Sequence, residues 1–194
     1  MSKAPTEPKT KSMFERFSGL MGDDVFLVPC EWGTKKPVVT YVERPFEGTK
    51  SPAYRALFEG ERNIAVYLGK ASGGLCAIDF DADEDLAAFL AANPKLARTT
   101  QTRGSRGGMV WVRIAAKPEG GNLRPEADGK NGSDGTDDKD YPESCTTAHF
   151  EWRADKRLST IAGRHPKGMD YAFVVEAPPM AIVPTLIGTT VGAA

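Results

Sequence analysis

Two aspartates, Asp79 and Asp81, follow an apolar run that favours a β-strand over residues 75–80. Side chains alternate between the two faces of a strand, so we expect both carboxylates on one face and Ile78 and Phe80 on the other. Carboxylate oxygens are the ligands that hard divalent cations prefer, and two such cations about 4 Å apart suit phosphoryl or nucleotidyl transfer. The spacing indicates a metal-dependent transfer site, although aspartates at strand ends also serve as turn or helix-cap residues.

The acidic residues that continue from Asp81 begin like the calcium loop of an EF-hand. Glu84 stands where that loop requires glycine, and Leu90 stands where it requires a closing glutamate, which excludes this kind of site. Apolar residues instead recur at helical spacing, and Asn93-Pro94 ends the pattern. We predict a helix over residues 83–92, with Asp83 as its cap rather than a metal ligand.

The remaining patterns predict more strands than helices. Strands are expected at residues 25–28, 38–42, 64–68, 109–114, 149–153, 158–162 and 171–175, and short helices near residues 13–21 and 51–58. Hairpin-like connections dominate the second half of the chain. The sequence therefore favours an α+β fold with a largely antiparallel sheet.

Composition sets the scale and the compartment. A chain of 194 residues with 40% hydrophobic residues is long enough for one core. We place the domain that contains this core at 23–176. An N-terminal tail with a short helix precedes it at 1–22, and a linker or tail follows it at 177–194. Three cysteines and no signal-peptide or membrane-spanning segment predict a cytoplasmic protein.

Charge is distributed unevenly along the chain. The net charge is only -1, but residues 95–113 hold five basic and no acidic side chains, which is typical of a local nucleic-acid contact. Residues 126–143 are strongly acidic and rich in glycine, which indicates a solvated loop or insertion.

Several segments together resemble a known family. Residues 24–29, 35–37, 63–81, 106–108 and 163–171 follow, in the same order, the pattern of the bifunctional DNA primase/polymerase N-terminal domain of the archaeo-eukaryotic primase superfamily. That domain occurs in replication proteins of phages and plasmids. The resemblance implies an α+β primase-like catalytic core with an RRM-like palm.

The resemblance also assigns a catalytic set. Asp79 and Asp81 match the first motif, and Glu151 on the predicted strand at 149–153 matches the third. By strand alternation Glu151 shares a face with His149 and Arg153. The three carboxylates are then expected to hold two Mg²⁺ or Mn²⁺ ions; the alternative is that Glu151 is an exposed residue of an edge strand.

One residue of the second motif is absent. The family carries a histidine after the Gly-rich turn, but residues 107–111 contain none. Arg106, and after it Arg103, are therefore expected to bind the nucleotide phosphates, because a guanidinium can contact phosphate oxygens in a bidentate manner. Contact with template or solvent remains the alternative for both arginines. His165 matches a late histidine of the family and is expected near the nucleotide, or else is an ordinary turn residue.

The turn before the strand at 75–80 is also expected to contact the nucleotide. The resemblance suggests that Lys70 and Ser72 lie near the nucleotide, since the small residues there allow close backbone approach. Cys145 and His149 are two candidate zinc ligands where four are usual, so we expect no structural zinc.

These observations predict a nucleotidyltransferase that makes and extends primers from NTPs or dNTPs on single-stranded DNA. A helicase domain in the same full-length chain is a further expected partner, and no membrane contact is expected. The absent histidine motivates an alternative: a non-catalytic module that binds DNA or nucleotide for replication.

Overall fold

The structure, a computed structural model, describes residues 12–114, 145–146 and 149–182. Its α-helices are α1 Met13–Met21, α2 Pro52–Ala56 and α3 Asp83–Ala92, with 3₁₀ turns at Phe46–Lys50, Lys70–Ser72 and Leu96–Arg98. Its strands are β1 Leu27–Glu31, β2 Arg62–Tyr67, β3 Leu75–Phe80, β4 Gln101–Arg103, β5 Gly108–Ile114, β6 Cys145–Thr146, β7 Glu151–Arg153, β8 Leu158–Ala162, β9 Ala172–Val175 and β10 Met180–Ile182.

The larger of two sheets holds the acidic strand at its centre. Its strand order is β6-β7-β3-β5-β4-β9, with every pair antiparallel, and β10 adds to β5 in parallel. Helix α3 connects β3 to β4. The predicted α+β class with a largely antiparallel sheet is confirmed.

A smaller antiparallel sheet, β1-β2-β8, lies over one face of the larger sheet. The alternating side chains of β3 separate two apolar clusters: Leu75 and Ala77 pack with the small sheet, whereas Cys76, Ile78 and Phe80 pack with Phe89 of α3 and its neighbours. Both clusters are buried, so the central strand is covered on both faces except at its end. That uncovered end is where Asp79 and Asp81 lie.

Helix α1 packs on the domain. Ser12 and Glu15 form a capping box, and Phe14, Phe17 and Met21 are buried in the cluster of the small sheet. The helix forms because its apolar residues recur on one face, and it is held by the burial of that face rather than by its length of nine residues.

The strands differ from the sequence-based expectations in several places: β4 and β6 were not predicted, one predicted strand does not form, and one strand lies in the predicted tail. Residues 38–42 form no strand: the β1 hairpin pairing stops at a single bridge between Cys30 and Pro37, and Val42 is largely exposed. In the segment predicted as a linker or tail, 177–194, strand β10 adds to the sheet and Thr99 accepts a hydrogen bond from the Met180 amide at 2.8 Å.

The predicted acidic loop 126–143, residues 1–11 and residues 183–194 lie outside the described residues. No helix within the described part of the chain is long and apolar enough to cross a lipid bilayer.

Candidate functional site

A cleft of about 310 Å³ opens at the carboxyl end of β3. Three parts of the chain surround it: the acidic end of β3, the Gly-rich turn before β5, and a pair of loops around residues 35 and 163–171. Its lining residues are Lys35, Asp79, Phe80, Asp81, Thr102, Gly104, Ser105, Arg106, Gly108, Met109, His165, Pro166, Lys167 and Tyr171. Two carboxylates therefore share one cavity with several basic side chains.

Glu151 lies beside the first of these carboxylates. Strands β3 and β7 pair so that Asp79 is opposite Glu151, which the sequence alone could not establish. Arg153, two residues along β7, contacts both: its Nε lies 3.2 Å from Asp79 Oδ2, and its Nη2 lies 2.8 Å from Glu151 Oε2. The predicted common face of Glu151 and Arg153 is thus observed, and the guanidinium bridges the two carboxylates.

The surroundings of Asp79 disfavour its charge. Burial raises the pKa of its carboxyl group, Arg153 opposes this increase, and the negative charges of Glu151 and Asp81 add to it. A carboxylate destabilised in this way gains from any further positive charge that enters the cleft.

Asp81 is placed differently, at the mouth of the cleft. Its side chain is 96% exposed and its contact is with Arg106, at 3.3 Å, whose side chain is 65% exposed. An ion pair so exposed contributes little to stability. Both side chains are therefore available for ligands, and Arg106, for which contact with the nucleotide phosphates is predicted, lines the cleft.

The Gly-rich turn is held against β3 by Asp83. Gly107 has a φ of +56°, and a Cβ at that position would lie 1.9 Å from the Phe80 carbonyl oxygen, so the close approach requires glycine. Asp83 Oδ1 accepts a hydrogen bond from the Gly107 amide at 2.9 Å and lies 2.8 Å from Arg103 Nη1. The N-cap of α3 is Ala82, not Asp83 as predicted, because the Asp83 carboxylate is used by the turn.

Arg103 consequently does not line the cleft. Its guanidinium binds Asp83, and this contact lowers the pKa of the Asp83 carboxyl group and raises that of the arginine. Through Asp83, Arg103 supports the Gly-rich turn.

His165 does line the cleft, together with Lys35 and Lys167. Its Nδ1 accepts a hydrogen bond from the Lys167 amide at 3.1 Å, so the neutral ring carries its proton on Nε2. Burial lowers the pKa of His165, and the positive charges of Lys35 and Lys167 lower it further. Tyr171 packs edge-on against the ring at 5.4 Å.

The roles of Lys35, Lys167 and Tyr171 escaped the sequence reasoning. A lone lysine in a loop carries no periodic signal, and only the pairing of β1, β2 and β8 brings these loops to β3. The sequence feature that could have pointed to these residues is that 35–37 and 163–171 both belong to the family pattern.

Lys70 and Ser72 are separated from the cleft. They precede β3, whereas Asp79 and Asp81 end it, roughly 20 Å further along a strand of this length. Ser72 is buried; its hydroxyl accepts from the Phe26 amide at 2.8 Å and donates to the Tyr67 carbonyl at 2.6 Å. The small residues of this turn allow it to pack between the sheets, so the structure gives Ser72 a structural role.

Among residues 12–114, 145–146 and 149–182, no three His, Cys, Asp or Glu side chains lie close enough together to hold a metal ion as they stand. His149, considered above for zinc, lies with its Nδ1 3.0 Å from Asp85 Oδ1. The oxygen donors of Asp79, Asp81 and Glu151 nevertheless suit Mg²⁺ or Mn²⁺ chemically, and Asp79 and Glu151 come from neighbouring strands. In the structure the Arg153 guanidinium contacts Asp79 and Glu151.

A comparison with protein-family models decides the family. The model for the bifunctional DNA primase/polymerase, N-terminal domain, matches residues 21–186. The chain belongs to this family. The suspected resemblance is thereby confirmed, and the match covers the Gly-rich turn, the acidic strand and both basic loops of the Prim-Pol domain. No curated protein sequence matches the chain significantly.

Proposed function

We propose that this Prim-Pol domain is a DNA-dependent primase/polymerase and that the cleft is its nucleotidyl-transfer site. The observation that supports the proposal best is the meeting of Asp79 and Asp81 with Lys35, Arg106 and Lys167 in one cavity. A cavity that brings carboxylates and cations together suits a nucleoside triphosphate and the divalent ions that accompany it.

In this proposal, Asp79, Asp81 and Glu151 hold Mg²⁺ or Mn²⁺. Bound divalent ions would supply charge neutralisation at the triphosphate and activation of the attacking hydroxyl group. Glu151 lies beside Asp79 because β7 pairs with β3, and Arg153 contacts both carboxylates and holds them side by side.

The basic residues bind the departing phosphates. Lys35, Lys167 and Arg106 neutralise negative charge that accumulates on the β- and γ-phosphates, and the Nε2–H of neutral His165 donates a hydrogen bond to a phosphate oxygen. This set takes over the role of the family's missing second-motif histidine. The 3'-hydroxyl oxygen bonds to the α-phosphorus, the bond to the bridging oxygen of the β-phosphate breaks, and the hydroxyl proton passes to water.

A second candidate rests on the arginine bridge. Because Arg153 neutralises Asp79 and Glu151 in the protein itself, the chain also suits a non-catalytic module that binds nucleotide or DNA without incorporating it. In either case we propose that it acts in the cytoplasm of a host cell, on single-stranded DNA of a phage or plasmid, and next to a helicase domain of a longer chain.

Primer synthesis distinguishes the two candidates. The protein is incubated with single-stranded DNA, labelled NTPs or dNTPs, and Mg²⁺ or Mn²⁺, beside the Asp79→Ala/Asp81→Ala double variant, and products are resolved on a denaturing gel. Primase/polymerase activity predicts products that vanish in the variant. Retained DNA or nucleotide binding without products at any concentration of either ion supports the non-catalytic module instead.

A further inference from the structure

A buried amide joins the two loops that form the basic wall of the cleft. Asn63 lies on β2 and is fully buried. Its Oδ1 accepts hydrogen bonds from the backbone amides of Gly33, at 3.3 Å, and Arg164, at 2.7 Å. Its Nδ2 donates to the carbonyl oxygens of Thr34, at 2.6 Å, and Arg164, at 2.7 Å. All four hydrogen-bonding positions of the amide are thus used.

Two of the three residues that Asn63 contacts, Thr34 and Arg164, are next to a residue of the cleft. Thr34 precedes Lys35, and Arg164 precedes His165 in the turn that also holds Lys167. The contact depends on Gly163, which has a φ of +102° and whose Cβ would lie 2.2 Å from Asn63 Oδ1. Two loops far apart in sequence therefore share one internal fixing point.

We infer that Asn63 is a positioning residue: its amide holds the Lys35 loop and the 164–168 turn together as a single basic wall that binds the triphosphate in the cleft that Asp79 and Asp81 also line. The inference rests on the proposed nucleotide site and deepens it, because it explains how two lysines from unrelated loops keep a fixed spacing. Asn63 itself lies inside the protein and does not line the cleft.

The chemistry of the amide makes this role hard to replace. Alanine at position 63 removes all four bonds and leaves backbone groups of both loops without partners, so the loops are expected to move apart. Asn63→Asp keeps the size of the side chain and an acceptor for Gly33 and Arg164, but it directs an oxygen instead of two N–H groups at the carbonyls of Thr34 and Arg164.

The experiment is a double-mutant cycle on nucleotide binding. Dissociation constants of a non-hydrolysable dATP analogue and of dAMP are measured in Mn²⁺ for the parent, Asn63→Ala, Lys35→Ala and the double variant. We expect each single substitution to weaken triphosphate binding about tenfold and to change dAMP binding little. The double variant should be weaker by much less than the product of the two factors, since Asn63 acts through Lys35.

Controls separate positioning from loss of stability. Ile64→Val, at the next buried position of β2, lowers stability without removing the hydrogen bonds that Asn63 makes to the two loops, and Lys36→Ala removes a neighbouring lysine that pairs with Glu31 outside the cleft. Neither substitution should change triphosphate affinity by more than about twofold. If Asn63→Ala unfolds the protein, the same cycle is run with Asn63→Asp.

Two results overturn the inference: triphosphate affinity unchanged in a folded Asn63 variant, or effects of the Asn63 and Lys35 substitutions that simply multiply. These results are independent of catalysis. A parent protein that shows the coupled binding but incorporates no nucleotide contradicts the proposed polymerase activity and leaves the inference about Asn63 supported.

Discussion

Replacing Arg153 by glutamine should destabilise the protein when divalent cations are absent and should make its stability depend on them. The guanidinium makes two contacts with Glu151 Oε2, at 2.9 and 2.8 Å, and one with Asp79 Oδ2, at 3.2 Å. Removing it leaves the two carboxylates opposite each other on paired strands with no cation between them.

The expected loss is about 2 kcal/mol. A hydrogen bond to a charged group contributes about 1.5–3 kcal/mol when buried, but these side chains are 22–30% exposed and two of the contacts share one oxygen, so about 1 kcal/mol per carboxylate is appropriate. For a domain of this size, such a loss lowers the melting temperature by about 4–8 °C.

The assay is thermal or urea unfolding with EDTA, Mg²⁺ or Mn²⁺. Divalent ions should stabilise Arg153→Gln more than the parent, because they occupy the position of the lost guanidinium and bind only the folded protein. The matched control is Arg16→Gln, whose partner Glu176 forms a surface pair at 3.1 Å, with both side chains 46% exposed. It should cost less than about 1 kcal/mol and respond to no ion. A loss below about 0.5 kcal/mol in Arg153→Gln, or equal ion effects on parent and variant, would refute the reasoning.

Two other substitutions test the walls of the cleft. Lys35→Ala should raise the pKa of His165 toward its ordinary value of 6.5, because a positive charge that disfavours the imidazolium is removed. The control Lys36→Ala should leave this pKa unchanged. NMR titration of the two histidines measures the pKa in both variants. Gly107→Ala should cost about 2–4 kcal/mol in urea unfolding, because the new methyl group meets the carbonyl oxygen that ends β3. Gly33→Ala, which shares a positive φ but has open space around it, should cost only about 1–2 kcal/mol.

The local features of the site could be predicted from sequence because they depend on neighbouring residues. Strand alternation brought Asp79 and Asp81 to one cleft and put Glu151 and Arg153 on one face. The position of Glu151 beside Asp79 depended instead on which strands pair, and that contact is distant in sequence. Only the family pattern pointed to it.

Other features could not be predicted because the same residue type suits two environments. A serine before a strand can face a phosphate or satisfy backbone groups, and the burial of Ser72 between Phe26 and Tyr67 selects the second. Residues 38–42 have a composition typical of a strand, but beyond the Cys30–Pro37 bridge the Val38 amide donates to the carbonyl oxygen of Pro29, and Pro29 has no amide hydrogen to return this hydrogen bond.

The most direct test of the central claim is template-directed extension by one nucleotide, compared between the parent, Asp81→Ala and Glu84→Ala. The Asp81 side chain is 96% exposed, so its removal should leave the folded protein intact, and any loss of extension comes from chemistry at the cleft. Our account predicts that Asp81→Ala abolishes extension while Glu84→Ala, an exposed acidic residue outside the cleft, extends like the parent. Extension by Asp81→Ala at the parental rate would contradict the assignment of this cleft as the nucleotidyl-transfer site.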